Sequence, residues 1–191
     1  MTNPSADPAG PTRPTRIGPL DEAARSKRQQ EVVDDLVQGP TVNIYTTLAR
    51  NPELAAAMVN LGRTLRGEGI SGRHREILIL RTGCNCASEY ELAQHFRVAM
   101  SIGMTAEDMG RVRVGPNAPG WEPFEAALCR AADELHADQT ISDGTWATLA
   151  ARYSEPQLIH ATMLVGYYHL VSFVLNALGV PLEADAARFP S

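Results

Sequence analysis

An all-α fold is predicted by three observations. Apolar residues recur at three- and four-residue spacing after residue 20. Ser, Thr or Asn stands at the head of most of those segments, and only one stretch, Ile77–Leu80, has the short continuous apolar run that a buried strand would need. With no second strand candidate to pair with it, that run reads as a helix buried on several sides.

The elements follow in order. Residues 21–37 (DEAARSKRQQEVVDDLV) begin with acids and end on Val32, Val33, Leu36 and Val37, a one-faced helix that Gly39-Pro40 stops. Residues 41–50 form a short helix, and Asn51-Pro52 opens the next, with Leu54, Met58, Leu61 and Leu65 on one stripe. Gly67, Gly69 and Gly72 mark a loop, after which Ser71 caps GRHREILILRTG. Ser88 heads EYELAQHFRVAMSIG, with Glu91 at the spacing of a capping box. Gly103 ends that helix, and Thr105 with Asp108 starts a short one. Beyond the loop VGPNAPGWEP, residues 122–137 present Phe124, Leu128, Ala131 and Leu135 on one face. Ser142 and Ser154 cap the last two helices.

The final helix is long enough and apolar enough to cross a bilayer. His160, Tyr167, Tyr168, His169, Ser172 and Asn176 interrupt it and point instead to a buried central helix, so no membrane partner is expected. Residues 1–19 carry Pro4, Pro8, Pro11, Pro14 and Pro19 without an apolar segment and read as a disordered arm ahead of one helical domain, 20–191. A net charge of −5 with no basic run excludes a nucleic-acid footprint. Three cysteines without a secretion signal suit a reducing cytoplasm.

Chemistry concentrates in GCNCASEYELAQH, residues 83–95. Glu91 and His95, four apart, share one helix face, where a carboxylate can orient the imidazole and raise its basicity. The alternative is a capping glutamate and a core histidine. Glu76, beside Ile77–Leu80, needs a partner if buried, because an unpaired buried carboxylate is costly. Cys84 and Cys86 are spaced CxC, which can form a strained disulfide, supply a soft metal, or simply pack before a helix; packing is the expectation. Cys129 reads as core.

RHREILILR, then SEYELAQH, then AMSIGMT (Ala99 to Thr105) resemble the carboxymuconolactone decarboxylase family, whose superfamily includes the alkyl hydroperoxidase D-like disulfide reductases. The motif spans Arg73 to Gly103. The resemblance implies an alkyl hydroperoxidase D-like helical domain in a homo-oligomer, for which the apolar excess of residues 157–182 gives room. The hydroperoxidase branch carries a glutamate, a CxxC pair and a histidine four residues later. Here Glu76 and His95 match, but Ser88 and Glu91 stand in the two cysteine positions, and Cys84 and Cys86 fall out of register. The thiol relay therefore lacks its pair at that site.

What the resemblance implies instead is a lyase or isomerase that needs no cofactor and no metal, acting on a small carboxylated or lactone-type metabolite. His95 is then the general acid/base, tuned by Glu91 and Glu76, while Arg81 holds a carboxylate. Ser88, Tyr90, Trp121 and His169 complete the substrate-binding set; the alternatives are packing for Tyr90, a loop anchor for Trp121 and a buried hydrogen bond for His169. The alternatives are a thiol-dependent peroxidase or disulfide reductase using Cys84 and Cys86, and a non-catalytic helical ligand-binding oligomer.

Overall fold

The computed structural model describes residues 13–36 and 42–190. After a 3₁₀ turn at Glu22–Ala24, the described residues fold into α1 (Lys27–Leu36), α2 (Asn43–Leu48), α3 (Pro52–Arg66), α4 (Gly72–Asn85), α5 (Glu89–Ser101), α6 (Ala106–Val114), α7 (Pro123–Ala137), α8 (Asp143–Ala150) and α9 (Glu155–Leu178), with no strand among them. Val37, Gly39 and Pro40 lie outside the described residues. So do residues 1–12 of the proline-rich arm. Residues 13–19 carry no regular secondary structure and bend at Arg16 and Ile17, whose amides donate to the Leu178 carbonyl at 2.8 and 3.1 Å. There α9 ends on Gly179 in the left-handed region (φ 64°), and the Pro14 carbonyl comes too close for any side chain at that position.

Ile77–Leu80 is helical, and α4 is the hub. It packs on α5, α6, α7 and α9, and all four residues of the run are essentially inaccessible. At roughly 1.5–3 kcal/mol per fully buried aliphatic side chain, this run anchors the main core. Two arginines on α4 bracket it. Arg73 reaches Asp108 of α6 through two nitrogens (2.8 and 3.0 Å) and Glu125 of α7 through two more contacts (2.6 and 3.1 Å). Arg81 grips Asp133 of α7 at 2.5 and 3.0 Å and donates to the Val112 and Arg113 carbonyls at the end of α6. A satellite cluster of Val32, Leu36, Ala55 and Val59 joins α1 to α3.

Three elements depart from the sequence expectation. The helix expected at 21–37 is divided, because Arg25 leaves the helical region (ψ 134°) and its side chain folds back to the Leu20 carbonyl. The buried residues of α3 are Ala55, Val59, Gly62 and Leu65; of the expected stripe only Leu65 is fully buried, and Leu54 is 67% exposed. The small face wins because α9 comes close: a Cβ on Gly62 would collide with the Tyr167 ring and hydroxyl. Third, α9 is buried along one face only. Half of its membrane-like window is covered, and Ile159, Met163, Leu170 and Phe173 are exposed.

The capping box of α6 is present as read: Thr105 accepts from the Asp108 amide, and Asp108 accepts from the Thr105 amide at 2.8 Å. Its carboxylate also receives Arg111 and Arg73, and the Arg73 hydrogen bond, helped by Thr105, holds its pKa well below 3.8. Because the folded pKa is depressed, the stabilisation is present above the unfolded pKa and is lost as pH falls through the folded one. Asp108→Asn should therefore cost about 2 kcal/mol at neutral pH, discounted for the part-exposed Arg73. Urea unfolding should show the deficit shrinking as wild type is acidified below pH 3.8.

Candidate active site

The turn between α4 and α5 sets the geometry. The Ser88 amide bonds the Gly83 carbonyl and the Ala87 amide bonds that of Cys84, the paired bonds of a Schellman stop, with Ala87 in the left-handed region (φ 47°). The chain reverses there, and α5 lies back along α4. Glu91 and His95, one turn apart on α5, come to face Glu76.

Glu76 is 1% exposed, Glu91 5% and His95 8%. His95 Nδ1 lies 2.7 Å from Glu76 Oε2, and the other Glu76 oxygen accepts from Arg75 Nε at 3.3 Å. A carboxylate offers only lone pairs here, so Nδ1 carries the proton and Nε2 is left free. Nε2 faces Glu91 Oε2 at 3.6 Å. Burial pushes the Glu91 pKa up, and Glu76 adds to this; His95 and Arg66 oppose it. Tyr168 packs perpendicular to the His95 ring, 4.9 Å between centroids. Its buried hydroxyl faces the Arg66 guanidinium but makes no hydrogen bond of good geometry. Burial first, then Glu91, pushes the Tyr168 pKa up.

The structure thus brings Glu76, Glu91 and His95 together and sends other expected site residues elsewhere. Arg81 spends its donors on Asp133 and the end of α6. Ser88 precedes α5 but makes no side-chain cap, so the Ser88–Glu91 capping box does not form; Glu91 turns to His95, and the Ser88 hydroxyl is buried without a partner. Tyr90 donates to Glu183 at 2.5 Å and accepts from the Ile44 amide, pinning the C-terminal segment to α2. Trp121 donates to the Gly115 carbonyl and so anchors its loop. His169 lies against His136. Cys84, Cys86 and Cys129 are free thiols. Burial raises all three pKa values, that of Cys129 to about 12, which leaves little thiolate at neutral pH.

Sequence reasoning missed Arg66 and gave Tyr168 no role. Tyr168 had a signal, a polar tip in an apolar helix. Arg66, at the exit of α3, had none, since an exposed and a buried helix-end arginine look alike in sequence.

These features define an all-α protein of the alkyl hydroperoxidase D-like fold with two carboxyls and a histidine buried together between α4 and α5. Residues 52–134, which contain Glu76, Glu91 and His95, match the model of the carboxymuconolactone decarboxylase family. No curated protein matches the chain significantly. Among solved structures, an uncharacterized peroxidase-related protein from Ralstonia eutropha with an alkylhydroperoxidase AhpD core superposes with a TM-score of 0.75 at 16% identity, over 93% of this chain and 95% of that one. The debrominase Bmp8 in complex with 2,3,4-tribromopyrrole gives 0.75 at 17% identity, over 91% and 95%. A peroxidase-related protein from Silicibacter gives 0.74 at 16%, over 93% and 97%. At such identities the likeness is one of fold.

The raised Glu91 pKa has a stability consequence. A carboxyl whose folded pKa is raised favours folding while protonated, and that advantage is lost as pH rises through the folded pKa. Glu91→Gln should therefore gain thermal stability relative to wild type at neutral pH. The gain should vanish below pH 4.5, the ordinary value for a glutamate, in melts recorded across that range.

Proposed function

We propose that the chain is a cofactor-free acid/base lyase or isomerase acting on a small carboxylated or lactone-type metabolite. The observation that carries this reading is the buried Glu76–His95 hydrogen bond of 2.7 Å with a second carboxyl, Glu91, on the opposite ring nitrogen. Glu76 fixes the tautomer, and His95 Nε2 takes a proton from an acidic carbon and returns it to another. In a decarboxylation, the C–C bond to the carboxylate breaks, carbon dioxide leaves, and the electron pair passes to the conjugated carbonyl oxygen. A proton then closes the carbanion. Glu91, whose pKa burial pushes up, is the nearby group suited to carry that proton. Arg66 and the unpartnered Tyr168 hydroxyl are the donors for the developing oxyanion. Arg66 takes the part first assigned to Arg81.

A thiol-dependent peroxidase has less support. Ser88 and Glu91 stand in the two thiol positions, and Cys84 and Cys86 are held as protonated thiols by burial. Free cysteines agree with a reducing cytoplasm, where we place the protein.

His95→Gln should reduce turnover of a cyclic carboxylated lactone by about 10²–10⁴-fold, with the circular-dichroism spectrum unchanged. Glu76→Gln should lower kcat and displace the pH profile. Full activity in His95→Gln, or peroxide-dependent loss of thiols with reductase-coupled turnover, would sink the acid/base reading.

Self-association belongs to the same proposal. Ile159, Met163, Leu170 and Phe173 recur along one exposed face of α9, a face suited to a second copy of the chain. Met163→Asp should lower the sedimentation coefficient toward that of a monomer. An unchanged coefficient would count against this face.

A further inference from the structure

The two cysteines that the acid–base site leaves unused do not share a fate. Cys84 is directed toward Arg81, Arg113 and Asp133. Cys86, the C-cap of α4, meets two histidines from distant elements. One is His136, in the last turn of α7; the other is His169, midway along α9. One ligand atom from each of the three lies within 4.8 Å of the others.

Each group is prepared differently. His169 Nδ1 donates to the Val165 carbonyl at 2.9 Å, which fixes the tautomer and leaves Nε2 as a bare lone pair. A backbone carbonyl on the far nitrogen is how proteins orient a metal-binding imidazole. That Nε2 lies 2.9 Å from His136 Nδ1, with the rings stacked at 27°. Two lone pairs would repel at this distance, so a proton sits between them, in a position a cation can take. Cys86 is steadied through its carbonyl, which accepts from Asn176 Nδ2 at 2.8 Å.

We propose that Cys86, His136 and His169 form a binding site for a thiophilic transition metal of the zinc class. The set of one thiolate and two imidazoles is of the borderline-soft kind that such ions select. Tetrahedral zinc bonds of about 2.0 Å to nitrogen and 2.3 Å to sulfur place nitrogens about 3.3 Å apart and nitrogen from sulfur about 3.5 Å. The histidine nitrogens need to part by only a few tenths of an ångström, and His136, exposed at a helix end, is free to move. The fourth position faces an open groove of about 570 Å³ that Cys86 and His136 line together with Arg13, Arg16, Asn85 and Asn176. Water or an anion completes the coordination there.

The site stands apart from the acid–base cluster in residues and in logic. The test uses the full chain, stripped with chelator and titrated with zinc chloride against a chromophoric competitor, and in parallel with cobalt(II). One metal per chain is expected, with a thiolate-to-cobalt charge-transfer band and a rise in melting temperature. Cys86→Ser should abolish the band. Cys86→Ser, His136→Ala and His169→Ala should each weaken zinc by at least about 100-fold, with His136→Ala guarding against misfolding because that residue is exposed. Cys84→Ser and His95→Gln should bind as wild type. Binding well below one per chain, or equal affinity in wild type, Cys86→Ser and His136→Ala, would overturn the proposal.

Discussion

The structure depends on the middle of α4, Glu76 to Leu80, being buried. A helix in that position must solve the problem of any polar group it carries inward, because no water reaches it. Glu76 is that group, and its two oxygens are answered by His95 and Arg75. The pairing joins α4 to α5 and at the same time creates the most chemically charged spot in the core. Structural necessity and the candidate chemistry are here one interaction.

Around this hub the other polar contacts hold position. Arg73 and Arg81, two turns apart on α4, each bridge to α6 and α7, so that three helices are tied at both ends of the apolar run. Both side chains keep partial access to solvent, which lowers the desolvation cost of these ion pairs. Helices α3 and α9 approach by another means, with Gly62 admitting the Tyr167 ring. That contact carries Arg66 toward Tyr168 and Glu91. The environment of the acid–base cluster is thus assembled from four helices, of which only α4 and α5 carry a motif legible in sequence.

The competing fates of Glu91 show how local and tertiary terms are weighed. Its spacing from Ser88 suits a capping box, worth about 1 kcal/mol. In the fold the same carboxyl is drawn inward to His95, and the Ser88 hydroxyl is left buried without a partner. Cys86 and Cys84 divide in the same way. Two residues apart at the helical end of α4, they point about 200° apart and so meet different neighbours.

Helix positions were legible because their signals are local: a cap, an apolar period, a glycine or proline stop. The same locality exposed the Glu91–His95 pair and the displaced cysteine pattern. Which side of α3 is buried was not legible, since Leu54 lost to Ala55 and Gly62 only because α9 lies so close. Arg81, Tyr90 and Trp121 were read as substrate-binding residues, whereas Asp133 and Glu183 claim the first two from far along the chain and Trp121 anchors its own loop on Gly115. Local pattern was enough for most of the helices and for the residues able to move a proton. Which groups meet was settled by packing, because hydrogen bonds such as Glu76 to His95 and His136 to His169 join helices whose spacing no local pattern encodes.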